Sequence, residues 1–241
     1  MTPCSKRNAS NPAAYLVAAT LFAAAGAVAA QPYVAIDGGW AWTEDVDFTL
    51  PTAPNPVHPT DFQSGYVVAL RGGWRFPAVG SGTPRLELEL SYRQNDVDQF
   101  GGQGDVGPGT GTLKASGLMV NALYDFRVGS RFVPYVGLGL GSVRVEADDI
   151  RKDITSPACC TGIIDGKDSG FAWQGIVGVA YEATQNWAIT LDYRYLATTD
   201  DLQYGYKAGC LPDGSACARL PGETEAKYRS QTLSVGLRYS F

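Results

Sequence analysis

From Val34 onward the chain alternates. Val34, Ile36, Gly38, Trp40 and Trp42 take every second position, with Ala35, Asp37, Gly39 and Ala41 between them. A period of two puts successive side chains on opposite faces of an extended strand, so the spacing predicts a strand with one apolar face. The same phase recurs in Tyr66, Val68, Leu70, Gly72, Trp74 and Phe76, with Arg71, Gly73 and Arg75 on the other face, and in Leu86, Leu88, Leu90 and Tyr92 against Glu87, Glu89, Ser91 and Arg93. Leu118, Val120, Ala122, Tyr124 and Phe126 oppose Gly117, Met119, Asn121, Leu123 and Asp125, and Phe132 to Leu140 continues the scheme with Gly137, Gly139 and Gly141 on its second face. Phe171 to Tyr181, Trp187 to Tyr195 and Leu233 to Phe241 complete eight predicted strands.

A soluble two-sheet sandwich would bury these apolar faces against each other. Two features favour the inverted arrangement, apolar face outward. Aromatic residues gather near both ends of the apolar faces, with Trp40, Trp42, Tyr92, Trp173 and Tyr195 at one end and Trp74, Phe76, Phe126, Trp187 and Phe241 at the other. Two such belts fit two membrane interfaces. The second face combines opposite charges with Gly and Ala, which suits the confined lumen of a small barrel. The predicted fold is therefore all-β, an eight-stranded antiparallel up-and-down transmembrane β-barrel.

Connector lengths orient it. Pro77 to Pro84, Val128 to Arg131 and Ala183 to Asn186 are short, whereas Thr43 to Phe62, Phe100 to Gly111, Asp148 to Ser169 and Asp200 to Tyr228 are long. Alternating short turns and long loops imply periplasmic turns and extracellular loops. The strands outrun the ~9–11 residues needed to cross a bilayer, so the wall is expected to project outward. The Gly-rich run Gly101 to Gly111 reads as a flexible loop.

Ahead of the strands, Lys6 and Arg7 precede an Ala-rich apolar run from Ala13 to Ala30, the layout of a secretory signal peptide. Residues 1–30 are expected to be the leader, with cleavage after Ala30, and 31–241 the barrel domain. Loss of Lys6 and Arg7 takes the formal net charge from −5 to −7, which disfavours a nucleic-acid partner. With 29 Gly and only 18% charged residues, the chain has the makeup of a tightly packed, turn-rich β protein.

The segment Pro134-Tyr135-Val136-Gly137-Leu138-Gly139-Leu140-Gly141 and the ending Leu233 to Phe241 resemble the small eight-stranded outer-membrane barrels related to the OmpA transmembrane domain and to opacity-type surface proteins. The resemblance covers residues 31–241. It implies location in the bacterial outer membrane, surrounded by lipid and lipopolysaccharide, and it implies that Tyr239 and Phe241 form a terminal signal read by the barrel-assembly machinery. Because the chain stops at Phe241, the cell-wall-binding domain of larger relatives is not expected.

On the same parity, Asp37, Glu87, Glu89, Asp125 and Asp192 point into the lumen with Arg71, Arg75, Arg85, Arg93, Arg194 and Arg238. Charges placed where little water fits must pair, so a network closing the lumen is expected, with Arg71 or Arg75 as partners of Glu87 and Glu89. Four cysteines follow the leader, Cys159 and Cys160 in the third loop and Cys210 and Cys217 in the fourth. In an oxidising compartment they are disulfide candidates: two bonds joining the loops, or Cys210 with Cys217. No pattern points to a catalytic group, cofactor or metal. Gly137, Gly139 and Gly141 lack the following helix of a phosphate-binding loop. His58, the one histidine, lies between Pro56 and Pro59 with Asp61 and Ser64 nearby, poor support for a general base.

Glu44, Asp45, Asp47 and Asp61 give the first loop four acids and no Lys or Arg. The leading functional expectation is a non-enzymatic surface barrel with structural or adhesive duties, its acidic loops meeting a host or surface ligand. A porin-like small-solute channel is the alternative, and a lipid A-modifying barrel enzyme the third.

Overall fold

The computed structural model describes residues 30–44, 46–49, 57–102, 105–152, 161–210 and 223–241. Twelve strand segments make one antiparallel sheet: β1 (Gln31–Thr43), β2 (Val46–Thr49), β3 (Val57–Phe62), β4 (Gly65–Arg75), β5 (Gly82–Gly102), β6 (Asp105–Phe126), β7 (Phe132–Lys152), β8 (Thr161–Glu182), β9 (Trp187–Thr198), β10 (Leu202–Cys210), β11 (Glu223–Ala226) and β12 (Arg229–Ser240). They form two stacked eight-membered rings. In the turn-side half the order is β1-β4-β5-β6-β7-β8-β9-β12, closed by β12 against β1. In the loop-side half β2 and β3 stand in for β1 and β4, and β10 and β11 for β9 and β12, closed by Glu225 opposite Thr49. Four of the eight walls are thus interrupted and four run unbroken for 21 or 22 residues.

Side chains bridge the interruptions. The Asn95 amide donates to the carbonyls of Ala41 (2.9 Å) and Gln63 (3.0 Å), tying β5 to the ends of the broken walls. Across the barrel, the Thr198 hydroxyl accepts the Tyr228 N–H at 3.1 Å while Tyr228 O accepts the Thr198 N–H. Backbone groups that a broken ladder would orphan are thereby satisfied.

At the turn end, Gly80 (φ 61°) and Gly129 (φ 71°) take the left-handed conformation that tight reversals require. The long connectors differ from expectation. The described residues of the Gly-rich run are strand instead of flexible loop: β5 and β6 pair as far as Gly101 opposite Val106 and Gly102 opposite Asp105. Much of the other three connectors is strand as well, because each hairpin continues to gain ladder hydrogen bonds beyond the bilayer.

Apolar outer faces and charged inner faces invert a soluble core. Ile36 is 63% and Leu138 70% exposed, whereas Glu87 is 0% and Arg93 1% exposed. The apolar band is edged by aromatic pairs: Tyr66 with Tyr92 and Trp173 with Tyr195 on the loop side, Trp187 with Tyr239 and Tyr124 with Phe126 on the turn side. Bare apolar surface on this scale is stable only against lipid.

Beyond the loop-side belt the faces exchange roles. Outward positions become Thr112, Lys114 and Ser116 on β6 and Arg144, Glu146 and Asp148 on β7, while the inward phase becomes Leu113, Ala115, Val143, Val145 and Ala147. These inward residues join Ile150, Ile164, Leu196, Leu202, Tyr204 and Tyr228 in an apolar core filling the loop-side interior. Burial pushes the Tyr204 phenol above its usual range. Outside, the Lys114 ammonium donates to Asp148 at 2.9 Å, a bond that raises its pKa, though water screens such a pair.

The candidate lumen network

Alternation on eight walls delivers the charges to one volume. Arg71 on β4 grips Asp37 on β1 with two nitrogens, Nε to Oδ2 at 2.5 Å and Nη2 to Oδ1. It also stands 3.3 Å from Asp192 on β9 and 3.5 Å from Glu87 on β5, and donates to Thr190 Oγ1 at 3.3 Å. Arg194 on β9 reaches Glu89 on β5 and lies 3.8 Å from Glu87. β5 and β9 are four places apart in a ring of eight, so this pair spans the lumen. Arg93 lies 3.9 Å from Glu89 on its own strand.

Neutral groups complete the network. Asn121 donates to Glu87 Oε1 (3.1 Å) and Glu89 Oε2 (2.9 Å), and Gln174 to Glu89 Oε2 (2.9 Å) and Asn121 Oδ1 (2.7 Å). Tyr135 donates to Asp192 at 2.6 Å and Tyr33 to Glu87 at 3.0 Å. Toward the turn end the Arg85 guanidinium lies between the Tyr33 and Tyr135 rings, 5.4 and 4.9 Å from their centroids, and its Nε donates to Asp125 at 2.8 Å. Charge-assisted bonds of this kind are roughly twice as strong as neutral ones.

Ten of the eleven sequence-named charges are buried here, and Arg75 is the exception. It sits part-exposed at the mouth, 3.6 Å from Asp125 on β6 and 3.6 Å from Glu182 on β8, the opposite wall. Partner choice follows expectation in part: Arg71 stands 3.5 Å from Glu87, but Arg75 pairs with neither Glu87 nor Glu89, and Glu89 takes Arg194, because pairing runs across the lumen as well as between adjacent strands. Sequence reasoning did not assign network roles to Tyr33, Asn121, Tyr135, Gln174 and Thr190; their inward parity was the available signal. Arg238 faces inward without an ion pair among the described residues.

Inward glycines clear the space. A Cβ on Gly236 would collide with Asp37 Oδ1 and lie 2.6 Å from Thr190 Oγ1, and one on Gly178 would lie 2.6 Å from the Tyr135 ring. The lipid-facing Gly38 has nothing within 4 Å of such a Cβ. Gly236→Val is expected to lower unfolding stability in detergent by about 1–3 kcal/mol, while Gly38→Ala stays within about 0.5 kcal/mol of wild type. Equal urea midpoints for the two variants would contradict the packing argument.

Tyr239 and Phe241 end the chain on the outer face, their rings edge to face at 5.1 Å. The Phe241 N–H donates to Pro32 O (3.1 Å), and its carbonyl accepts from Gln31 Nε2 (3.0 Å). Cys159, Cys160 and Cys217 lie outside the described residues, and Cys210 ends β10 opposite Thr161. His58 sits in the β2–β3 hairpin opposite Phe48.

Known proteins share this architecture. Residues 13–241 match the family described as outer membrane protein beta-barrel domain. Outer membrane protein PagN of Salmonella typhimurium is 28% identical over 165 residues, 65% of each chain. An outer membrane protein of Gluconacetobacter diazotrophicus is 27% identical over 191 residues, 75% of this chain and 49% of that one. The chain therefore spans about half to just under two thirds of the length of these relatives. Among solved structures, OprG from Pseudomonas aeruginosa superposes with a TM-score of 0.55 at 16% identity, covering 88% of this chain and 96% of that one. The Escherichia coli outer membrane protease OmpT gives 0.53 at 9% identity, with 88% and 97% covered. Such distant likeness establishes the fold alone, since one fold hosts many activities. A lipid-facing apolar band around a charged interior, closed by eight walls, together with the family match over nearly the whole chain, places this protein in the outer membrane of a Gram-negative bacterium as a member of the outer membrane protein beta-barrel domain family.

Proposed function

We propose that the protein is a non-enzymatic surface barrel that holds its long extracellular hairpins clear of the membrane for structural and adhesive contacts, with its lumen closed to steady solute flow. The observation that carries this reading is the filled interior. Ion pairs cross the lumen on the turn side and an apolar core occupies the loop side, and an eight-stranded barrel is about wide enough for its side chains alone. The projecting loop-side ring then supplies the surface for a ligand, in a setting of lipopolysaccharide and outer-membrane lipid. Residues 1–30 act as the export leader, and the barrel-assembly machinery receives the C-terminal strand.

Planar-bilayer recording of refolded residues 31–241 tests the closed lumen. Wild type should show rare, small openings, and Glu89→Ala with Arg194→Ala, which removes a pair spanning the lumen, should raise their frequency severalfold. Steady, large conductance from wild type would instead make the protein a small-solute channel. In parallel, cells displaying wild type should adhere to host-matrix-coated surfaces more than cells whose residues 153–160 and 211–222 are replaced by Gly-Ser segments. Equal adhesion would remove the adhesive duty. Modification of lipid A by purified wild type but not by His58→Ala would make it an enzyme.

A further inference from the structure

The lumen network balances pair by pair except at its turn end. Asp37, Glu87, Glu89, Asp125 and Asp192 each lie within 4 Å of a guanidinium. Arg238 has no such partner among the described residues. It is 2% exposed, its Nε and Nη1 have no hydrogen-bond acceptor, and its attractive neighbour is the Tyr33 ring, 5.8 Å away at the centroid. Directly across the ladders stand Ala35 and Ala188, which offer nothing to pair with. It shares the Tyr33 ring with Arg85, 5.4 Å from the centroid, whose Nε donates to Asp125 at 2.8 Å. Burying an ion without a counter-charge costs several kcal/mol.

At its turn-side mouth the barrel opens into a cavity of about 580 Å³, lined by Arg75, Thr83, Asp125, Arg127, Ser130 and Glu182 with the surrounding turn residues. Asp125, the partner of Arg85, is part of its lining. Asp125 is already held by Arg85 at 2.8 Å and Arg75 at 3.6 Å, and Glu182 by Arg75 at 3.6 Å. Arg127 donates to Thr83 Oγ1 at 3.2 Å and has no carboxylate partner among the described residues. Arg75 and Arg127 thus line one concave space with Asp125 and Glu182, and behind it stand Arg85, shared between Asp125 and Glu87, and Arg238, which has no carboxylate partner among the described residues.

We propose that this turn-side vestibule is a binding site for a small oxyanion of the phosphate or carboxylate class, taken from the periplasm. Arg127 and Arg75 serve as direct donors, with Thr83 and Ser130 as hydroxyl partners, and Arg238 supplies the uncompensated positive charge behind them. A guanidinium fork matches two oxygens of such an anion, and a concave site partly shielded from bulk water strengthens the attraction relative to open water. The volume exceeds that of phosphate itself, leaving room for an organic remainder or water. The site is independent of what the loops bind, so it stands or falls separately from the adhesive role.

Inorganic phosphate is the probe. Barrel refolded in a phosphate-free non-ionic detergent is titrated with sodium phosphate against sodium chloride of equal ionic strength, and the urea midpoint is followed. Wild type should gain stability in a saturable, phosphate-specific way. Arg127→Gln should weaken the apparent affinity about tenfold, the scale of one lost charge-assisted hydrogen bond, and Arg238→Gln should weaken it at least as much. If Arg238→Gln does not refold, Arg127→Gln decides alone. Repeating the titration in phosphatidylglycerol vesicles separates sources: a free anion keeps its effect there, whereas a headgroup already seated in the site abolishes it and overturns the periplasmic assignment. A response no larger in phosphate than in chloride, or one unchanged in Arg127→Gln, overturns the site.

Discussion

Arg71→Met is expected to destabilise the barrel by about 3–5 kcal/mol, the usual cost of removing one partner from a buried ion pair. Arg71 is the common counter-charge of Asp37, Asp192 and Glu87, at 3.3 and 3.5 Å from the last two. Without it Asp37 loses its one ion-pair partner among the described residues, while Asp192 keeps Arg194 at 3.5 Å and Glu87 keeps Arg85 and Arg194 at 3.8 Å. Methionine fills much of the vacated volume, so the loss reports charge and hydrogen bonding more than a cavity. Adding Asp37→Asn should recover part of it, giving a coupling energy well outside additivity. Equilibrium urea unfolding in detergent micelles or thin bilayers measures both variants. A single-variant loss below about 1 kcal/mol, the scale of a solvent-exposed pair, would show that water reaches the network and that the lumen is not closed at this level.

Deleting Phe241 should have a far larger effect in cells than in vitro. In the finished barrel its side chain is largely exposed, its ring meets Tyr239 edge to face, and its main chain adds bonds to Pro32 and Gln31. Removing those contacts is a loss of about 1–2 kcal/mol at a strand end, so refolding into detergent should approach wild-type yield. Assembled protein in the outer membrane should fall about tenfold or more if the terminal aromatic directs insertion. Heat-modifiability on gels, comparing membrane fractions with refolded material, reads both. Equal defects in the two settings would leave Phe241 with a packing role only.

The periodicity of two determined most of the wall. Leu86, Leu88 and Leu90 could face only one way once Glu87 and Glu89 faced the other, since a one-residue slip would put the carboxylates in lipid. Alternation therefore placed ten named charges in the interior, and it did so because side-chain direction in a strand is local. Three things were not local. Which carboxylate meets which guanidinium depends on strand order and stagger around a closed ring: Arg194 and Glu89, 105 residues apart, meet because β5 and β9 stand on opposite sides of it. The exchange of faces beyond Ser116 and Ser142 was written in the alternation, yet its meaning depended on where the bilayer ends and water begins, which turns Leu113, Val143 and Val145 from an anomaly into a second core. And the lack of an ion-pair partner for Arg238 among the described residues could not be read from the composition of the inner face, where five acids and six bases look nearly balanced; only the closed barrel sets it against Ala35 and Ala188.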